Sequence, residues 1–213
     1  TDIGGKGLSK RLGSMTVASL RADGVEAMAL NSYLAHIGTS DSIVPRASLV
    51  ELAADFDIGH TGRGTPKFDP DQLKTLNAAL LHGTDYAEAA PRLLALGLDH
   101  ADAPFWEAIR PNLERFEDAV LWHKVCFDDI TPLVDDQAFA SAAATVLPEG
   151  VWDETTWKDW TAAIKEATGR KGKELFLPLR LALSGLDHGP ELKFLLPLIG
   201  RARVLKRLTG EAA

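Results

Sequence analysis

The residue types that could do chemistry gather at the two ends of this 213-residue sequence. Near the start, Gly7-Leu8-Ser9-Lys10-Arg11 sets a serine and two bases among glycines, inside GGKGLSKRLGSMTVASLRADG. Glycine lets backbone approach a ligand closely and lysine supplies compensating charge, so this pattern suits a phosphate grip ahead of a helix. Toward the other end, residues 165–207 hold ten bases and four acids, a local charge of +6. The remainder carries −13, giving the chain its net −7 from 23 bases and 30 acids. Such asymmetry fits a polyanion-facing end on an acidic body. A solvated basic helical surface is the plainer reading, and charge alone leaves both open.

Other chemistries find little support. The six histidines (His36, His60, His82, His100, His123, His188) include no helical His-Glu-x-x-His pair, so they read as packed or surface side chains, and no metal site is expected. A lone Cys126 excludes an internal disulfide and a thiolate zinc cluster, and suits a reducing cytoplasm. Neither a Gly-x-Ser-x-Gly elbow, nor a P-loop, nor a dinucleotide fingerprint is present. Trp152, Trp157 and Trp160 lie near bases and could stack on nucleotides. Helical spacing of Trp157, Trp160 and Ile164 favours the core instead, and Trp106 and Trp122 are read the same way.

The elements that must position these residues are helices. With 46% hydrophobic and 25% charged residues, the chain has the balance of a water-soluble globular protein of one large or two smaller domains. No window approaches 18 apolar residues, which rules out a membrane-spanning helix. The first 20 residues lack the apolar stretch of a secretory signal. Spacing and punctuation predict helices over 17–22, 25–37 and 48–56, the last with Ser48 and Glu51 at capping-box spacing. Segment 57–70, rich in Gly, Pro and Thr, is a loop or crossover and the best candidate domain boundary. Beyond it, helices are predicted over 71–81, 85–96, 103–116, 119–125, 135–147, 155–168, 171–183, 190–199 and 201–208. Strand alternation is scarce, so this part is an all-helical bundle or pair of bundles, divided near 128–136.

Three blocks resemble bacterial class I glutamyl-tRNA synthetases in order and spacing. GLSKRLGSMTVASLRADGVEAMALNSYLAHIGTS is similar to that family's KMSKS loop and the helix after it. FDPDQLKTLN is similar to the entry into its helical half, and GRKGKELFLPLRLALSGLDHGPELKFLLPLIGRARVLKRL to its anticodon-binding segment. Gly7 replaces the loop's first lysine, with Lys6 displaced one residue upstream, while Lys10, the lysine that reaches ATP phosphates, is retained. His36-Ile37-Gly38-Thr39 mimics the family's HIGH motif but follows the loop rather than preceding it, so it is a decoy. The chain starts at Thr1 and reads as the C-terminal half, without the upstream Rossmann domain.

The resemblance implies a mainly α fold: a small α/β-type stem-contact region with the loop over 1–70, then helical anticodon-binding subdomains over 71–130 and 131–213. It implies a full-length, monomeric, cytoplasmic ligase that joins glutamate to tRNA-Glu through glutamyl-adenylate with ATP and Mg²⁺, with tRNA-Gln as a second candidate. This part would hold no catalytic residue and be inactive alone. Gly7, Leu8, Ser9, Lys10 and Arg11 would face ATP; Arg180, Gly189, Pro190 and Leu192 would line the anticodon pocket, with Asn112 beside the third base. Arg180's planar fork suits a base edge or phosphate, or else a salt bridge to a neighbouring acid. Pro190 would also serve as the first residue of a helix. Family members restricted to tRNA-Glu can carry arginine where Asn112 stands; the shorter amide offers both a donor and an acceptor and tolerates either third base. The rival reading is a helical interaction module of the same fold that binds no RNA.

Overall fold

The computed structural model describes residues 1–7 and 16–213. Leu8, Ser9, Lys10 and Arg11 therefore lie outside the described residues. Two compact units are formed, Thr1–Asp85 with Asn112–Asp118, and Tyr86–Pro111 with Ala119–Ala213.

Local signals set the helices of the first unit. Helix α1 (Val17–Ala22) begins at Thr16, whose hydroxyl accepts from the Ser19 N–H while the Ser19 hydroxyl accepts from the Thr16 N–H. Helix α2 (Ala27–His36) is followed by α3 (Leu49–Asp55), where Ser48 Oγ accepts from the Glu51 N–H at 3.2 Å. Glu51 reaches back to the N–H of Ala47, one residue before the cap. Helix α4 (Pro70–Gly83) starts with Asp69 as cap and Pro70 in its first turn, where a missing N–H costs nothing. Its Leu73 and Leu76 meet Leu20, Ala29, Tyr33 and Phe68 in one core. The Tyr33 and Phe68 rings stand edge to face at 5.1 Å, and the Tyr33 hydroxyl accepts from the Asp69 N–H at 2.7 Å.

Buried Asn77 ties this unit together. Its Oδ1 accepts from the Glu26 N–H at 2.7 Å, and its Nδ2 donates to the carbonyls of Gly24 and Glu114. At Gly24, φ is +78° and an added Cβ would lie 2.9 Å from Arg115 Cγ, so glycine is required twice over. The 57–70 segment lies inside this unit. Residue 61 pairs with residue 39 in one isolated antiparallel bridge, and Phe68 enters the core. The stem-contact region, expected to be of α/β type, thus has no strand among its described residues. Gly59, Gly62, Gly64 and Pro66 interrupt the segment, and proline removes a ladder donor.

The second unit contains α5 (Tyr86–Ala95), α6 (Ala103–Ile109), α7 (Ala119–Phe127), α8 (Gln137–Thr145), α9 (Thr156–Thr168), α10 (Lys173–Ser184), α11 (Leu192–Ile199) and α12 (Arg201–Leu208). Helix α11 is apolar nearly all round, and it packs against α6, α7, α9 and α12 as a central helix must. The predicted helix over 103–116 ends early: Pro111 cannot donate to the preceding turn, and Arg110–Asn112 forms a 3-10 turn. Trp106, Trp122 and Trp160 are buried, and Trp160 Nε1 donates to the Ala143 carbonyl at 2.9 Å.

Arg207, counted from sequence among the basic surface residues, is fully buried. Its Nε donates to Ala213 O at 2.6 Å, Nη1 to the carbonyls of Val125 and Leu183 at 2.8 and 2.7 Å, and Nη2 to that of Asp128 at 3.1 Å. A rigid fork of donors can bridge several chain segments at once. Desolvation lowers its pKa to about 10.

Candidate functional site

A groove of about 200 Å³ opens in the second unit, lined by Trp157, Phe176, Arg180, Glu191, Leu192 and Lys193. Local geometry explains each wall. Phe176 and Arg180 stand one turn apart on α10, so they share a face, while Leu175, Leu179 and Leu183 point into the core. Trp157 projects from the first turn of α9, its ring centroid 6.1 Å from that of Phe176. The start of α11 supplies the third wall, where Lys193 pairs with Glu191 at 2.9 Å and lies 4.4 Å from the Phe194 ring centroid.

Arg180 is the distinctive group here. Its Nη2 donates to the Pro190 carbonyl at 3.0 Å, which aims the guanidinium. Among the described residues it makes no ion pair, so the salt bridge weighed from sequence is not formed. Its Nη1 is buried without a partner. Desolvation alone pulls its pKa below the ordinary arginine value. Unpaired buried donors are costly, so this Nη1 is the unsatisfied group of the groove.

The loop before α11 is fixed by one close approach. At Gly189 φ is +128°, and an added Cβ would fall 2.0 Å from Trp122 Cη2. Only glycine lets the chain pass that ring and deliver Pro190 to Arg180. Pro190 itself stands two residues ahead of α11, whose N-cap is Glu191, and not at the first helical position expected of it. The tertiary contact with Arg180 takes the place of helix-start chemistry.

Four of the sequence-derived residues, Arg180, Gly189, Pro190 and Leu192, are thus brought together. Asn112 lies exposed in the first unit, at the end of the 3-10 turn. Arg110, two residues earlier, is paired with Glu107 at 2.7 Å. Gly7 is exposed, and no atom of the described residues, its chain neighbours aside, lies within 4 Å of where a Cβ would stand. Trp157 and Phe176 were not legible as site residues. Helical spacing placed Trp157 in the core with Trp160, yet it is only half-buried at the groove; its sole sequence signal was an aromatic next to bases.

Four of the histidines, His36, His60, His82 and His188, have polar partners of their own. Buried His36 holds its own helix through Nδ1 and the Ser32 carbonyl at 2.8 Å, so the HIGH-like string is structural. His82 Nε2 lies 3.0 Å from the Leu113 carbonyl. His60 is raised from its ordinary pKa, chiefly by its hydrogen bond with Asp41, and His123 is lowered by burial. Buried Cys126 has its thiol pushed up to about 12 by desolvation. No cluster of three metal-binding side chains exists among the described residues. No helix there is long and apolar enough to cross a membrane.

The groove falls within residues 104–210, which match the family model described as the anticodon binding domain. Glutamate–tRNA ligase 1 of Parvibaculum lavamentivorans is 55% identical over 208 residues, which are 97% of this chain and 46% of that protein. The glutamate–tRNA ligase of Azospirillum brasilense is 53% identical over 214 residues, covering 100% of this chain and 48% of its own length. The glutamate–tRNA synthetase structure from Elizabethkingia anophelis shares the fold, with a TM-score of 0.73 at 19% identity, covering 98% of this chain and 48% of that one. The chain spans about half the length of the curated relatives it matches, and the matched part is their C-terminal half. With just over half of its residues matched by that family model, the chain belongs to the anticodon binding domain family.

Proposed function

We propose that this chain is the tRNA-recognising half of a glutamate–tRNA ligase, and that the Arg180 groove reads an anticodon base. The observation that carries the reading is the guanidinium of Arg180, aimed by the Pro190 carbonyl, in no ion pair among the described residues and beside the half-buried ring of Trp157. An unpaired base can stack on an aromatic wall while its edge accepts from a planar fork of donors. Leu192 supplies an apolar floor. Gly189 and Pro190 act by placing the Arg180 anchor.

Asn112 tolerates either C or G at the third anticodon position, so tRNA-Gln is accepted beside tRNA-Glu. The loop from Gly7 through Leu8, Ser9 and Lys10 to Arg11 serves the ATP phosphates in the full-length enzyme. ATP and Mg²⁺ supply the activation chemistry with the preceding Rossmann half, and no step of it is assigned to residues of this chain. The functional parts are 1–70, 71–130 and 131–213, in a protein that acts as a monomer.

Binding of tRNA-Glu and tRNA-Gln transcripts, followed by anisotropy across a salt series, tests this reading. Each phosphate neutralised contributes about 0.7–0.9 to the log–log slope, so a slope of several units is expected. The full-length enzyme should charge both tRNAs, and Asn112→Arg should add a preference for tRNA-Glu of about 1–3 kcal/mol. A flat salt response would sink tRNA binding. A preference above roughly a hundredfold (about 2.7 kcal/mol), unchanged in Asn112→Arg, would remove Asn112 from the choice.

A further inference from the structure

Helix α3 buries a single residue, Leu52, on the α2 side, yet its outer side is apolar too. Leu49, Ala53 and Phe56 fall at i, i+4 and i+7, one stripe along the helix, and all three are exposed. Val50 and Ala54 make a second exposed row beside it, and Ile58 follows in the next turn. Leu49 is 62% exposed, Val50 80%, Phe56 47% and Ile58 77%. Single apolar residues on a surface need no explanation; a cluster on one short helix marks a contact.

The charges around the patch decide what kind of partner fits. Glu51, Asp55 and Asp57 lie on the same segment, and the nearby base, Arg46, is already paired with Asp55. An apolar face rimmed by acids repels a phosphate backbone and suits polypeptide. The curated relatives are about twice as long, and it is their C-terminal half that this chain matches. The patch lies in the unit that contains residue 1.

We propose that the outer face of α3 is an interdomain docking surface, covered in the full-length protein by the polypeptide that precedes residue 1. This rests on the reading above that a nucleotide-binding half precedes this one. The face then carries no RNA contact; it fixes the first unit against the half that binds ATP.

Cysteine accessibility tests this directly, because native Cys126 is buried and its thiol is held protonated at neutral pH. Val50→Cys and Phe56→Cys are introduced separately into the 213-residue chain and into the full-length protein, with Val151→Cys, at a site 98% exposed, as the control. Peptide-resolved mass spectrometry follows alkylation over time. Val50→Cys and Phe56→Cys should react at least tenfold more slowly in the full-length protein, while Val151→Cys reacts equally in both. Equal rates at positions 50 and 56 would overturn the proposal. So would protection in the 213-residue chain that grows with protein concentration, which means a second copy, or protection that appears only with added tRNA. Anisotropy with tRNA on the same proteins separates the two readings, since absent tRNA binding would defeat the proposed function and leave the labelling result standing.

Discussion

Replacing Arg207 by methionine keeps most of the buried stem and removes the donors that reach four backbone oxygens on three segments. The carbonyls of Val125 and Leu183 then stay in a dry interior without their partner, while the Ala213 oxygen still accepts from the Ile130 N–H at 3.1 Å and the Asp128 carbonyl belongs to an exposed residue. An acceptor stranded in this way costs about 1–3 kcal/mol, and the losses are not additive. Relief of the buried guanidinium's own desolvation offsets part of the sum. Two carbonyls stranded at that cost, less the relief, make the expected destabilisation about 2–4 kcal/mol. Arg207→Lys should not fully rescue it, because one ammonium cannot span three segments as the fork does, and the cost of one stranded acceptor, at least about 1 kcal/mol, should remain. All five tryptophans lie in the second unit, so urea unfolding followed by tryptophan fluorescence reports on that unit. Arg207→Met within about 1 kcal/mol of the wild type would refute the reasoning. Full stability in Arg207→Lys would show that charge, not the fork, matters.

Gly189→Ala should lower the urea midpoint of the second unit by the equivalent of at least about 2 kcal/mol, since its Cβ meets the Trp122 ring at 2.0 Å and φ is +128°. An unchanged midpoint would show that the loop can reroute, and with it that Pro190 need not be held there. His60 should titrate above 6.5 because Asp41 accepts from its ring at 2.8 Å. Its folded pKa is raised, so the pair's support is complete below pH 6.5 and fades as pH rises through the folded value. Proton NMR of the His60 ring should place the midpoint above normal and show it falling in Asp41→Asn; no response to that substitution would mean the pair is not formed in solution.

What the sequence made legible was local. Ser48 marks a helix start through a hydrogen bond spanning three residues, and Gly169 and Gly185 mark ends through backbone conformation, whereas the start at Pro70, capped by Asp69, falls in the segment that composition assigns to a loop. Arg180, Gly189, Pro190 and Leu192 were assembled by resemblance, not by spacing, because the approach of Gly189 to Trp122 is a contact between distant segments. Arg207 misled for the same reason. A base in a run of bases reads as surface, and only the packing of α7, α10 and α12 places it inside. Removing it from the surface count weakens the charge argument for the basic end without touching Arg180. Trp157 shows the limit of periodicity, which assigns a residue to a helix face but not to the point where that face leaves the core.

The claim that the groove reads an anticodon base is tested most directly by Arg180→Ala with two RNAs, tRNA-Glu and the same tRNA with its anticodon replaced. Dissociation constants for wild type and variant at one salt concentration form a double-mutant cycle, with urea unfolding as the check that the fold is kept. The account predicts a loss of about 1–3 kcal/mol for tRNA-Glu and little loss for the anticodon-swapped RNA. An equal loss for both RNAs, at unchanged stability, would contradict it.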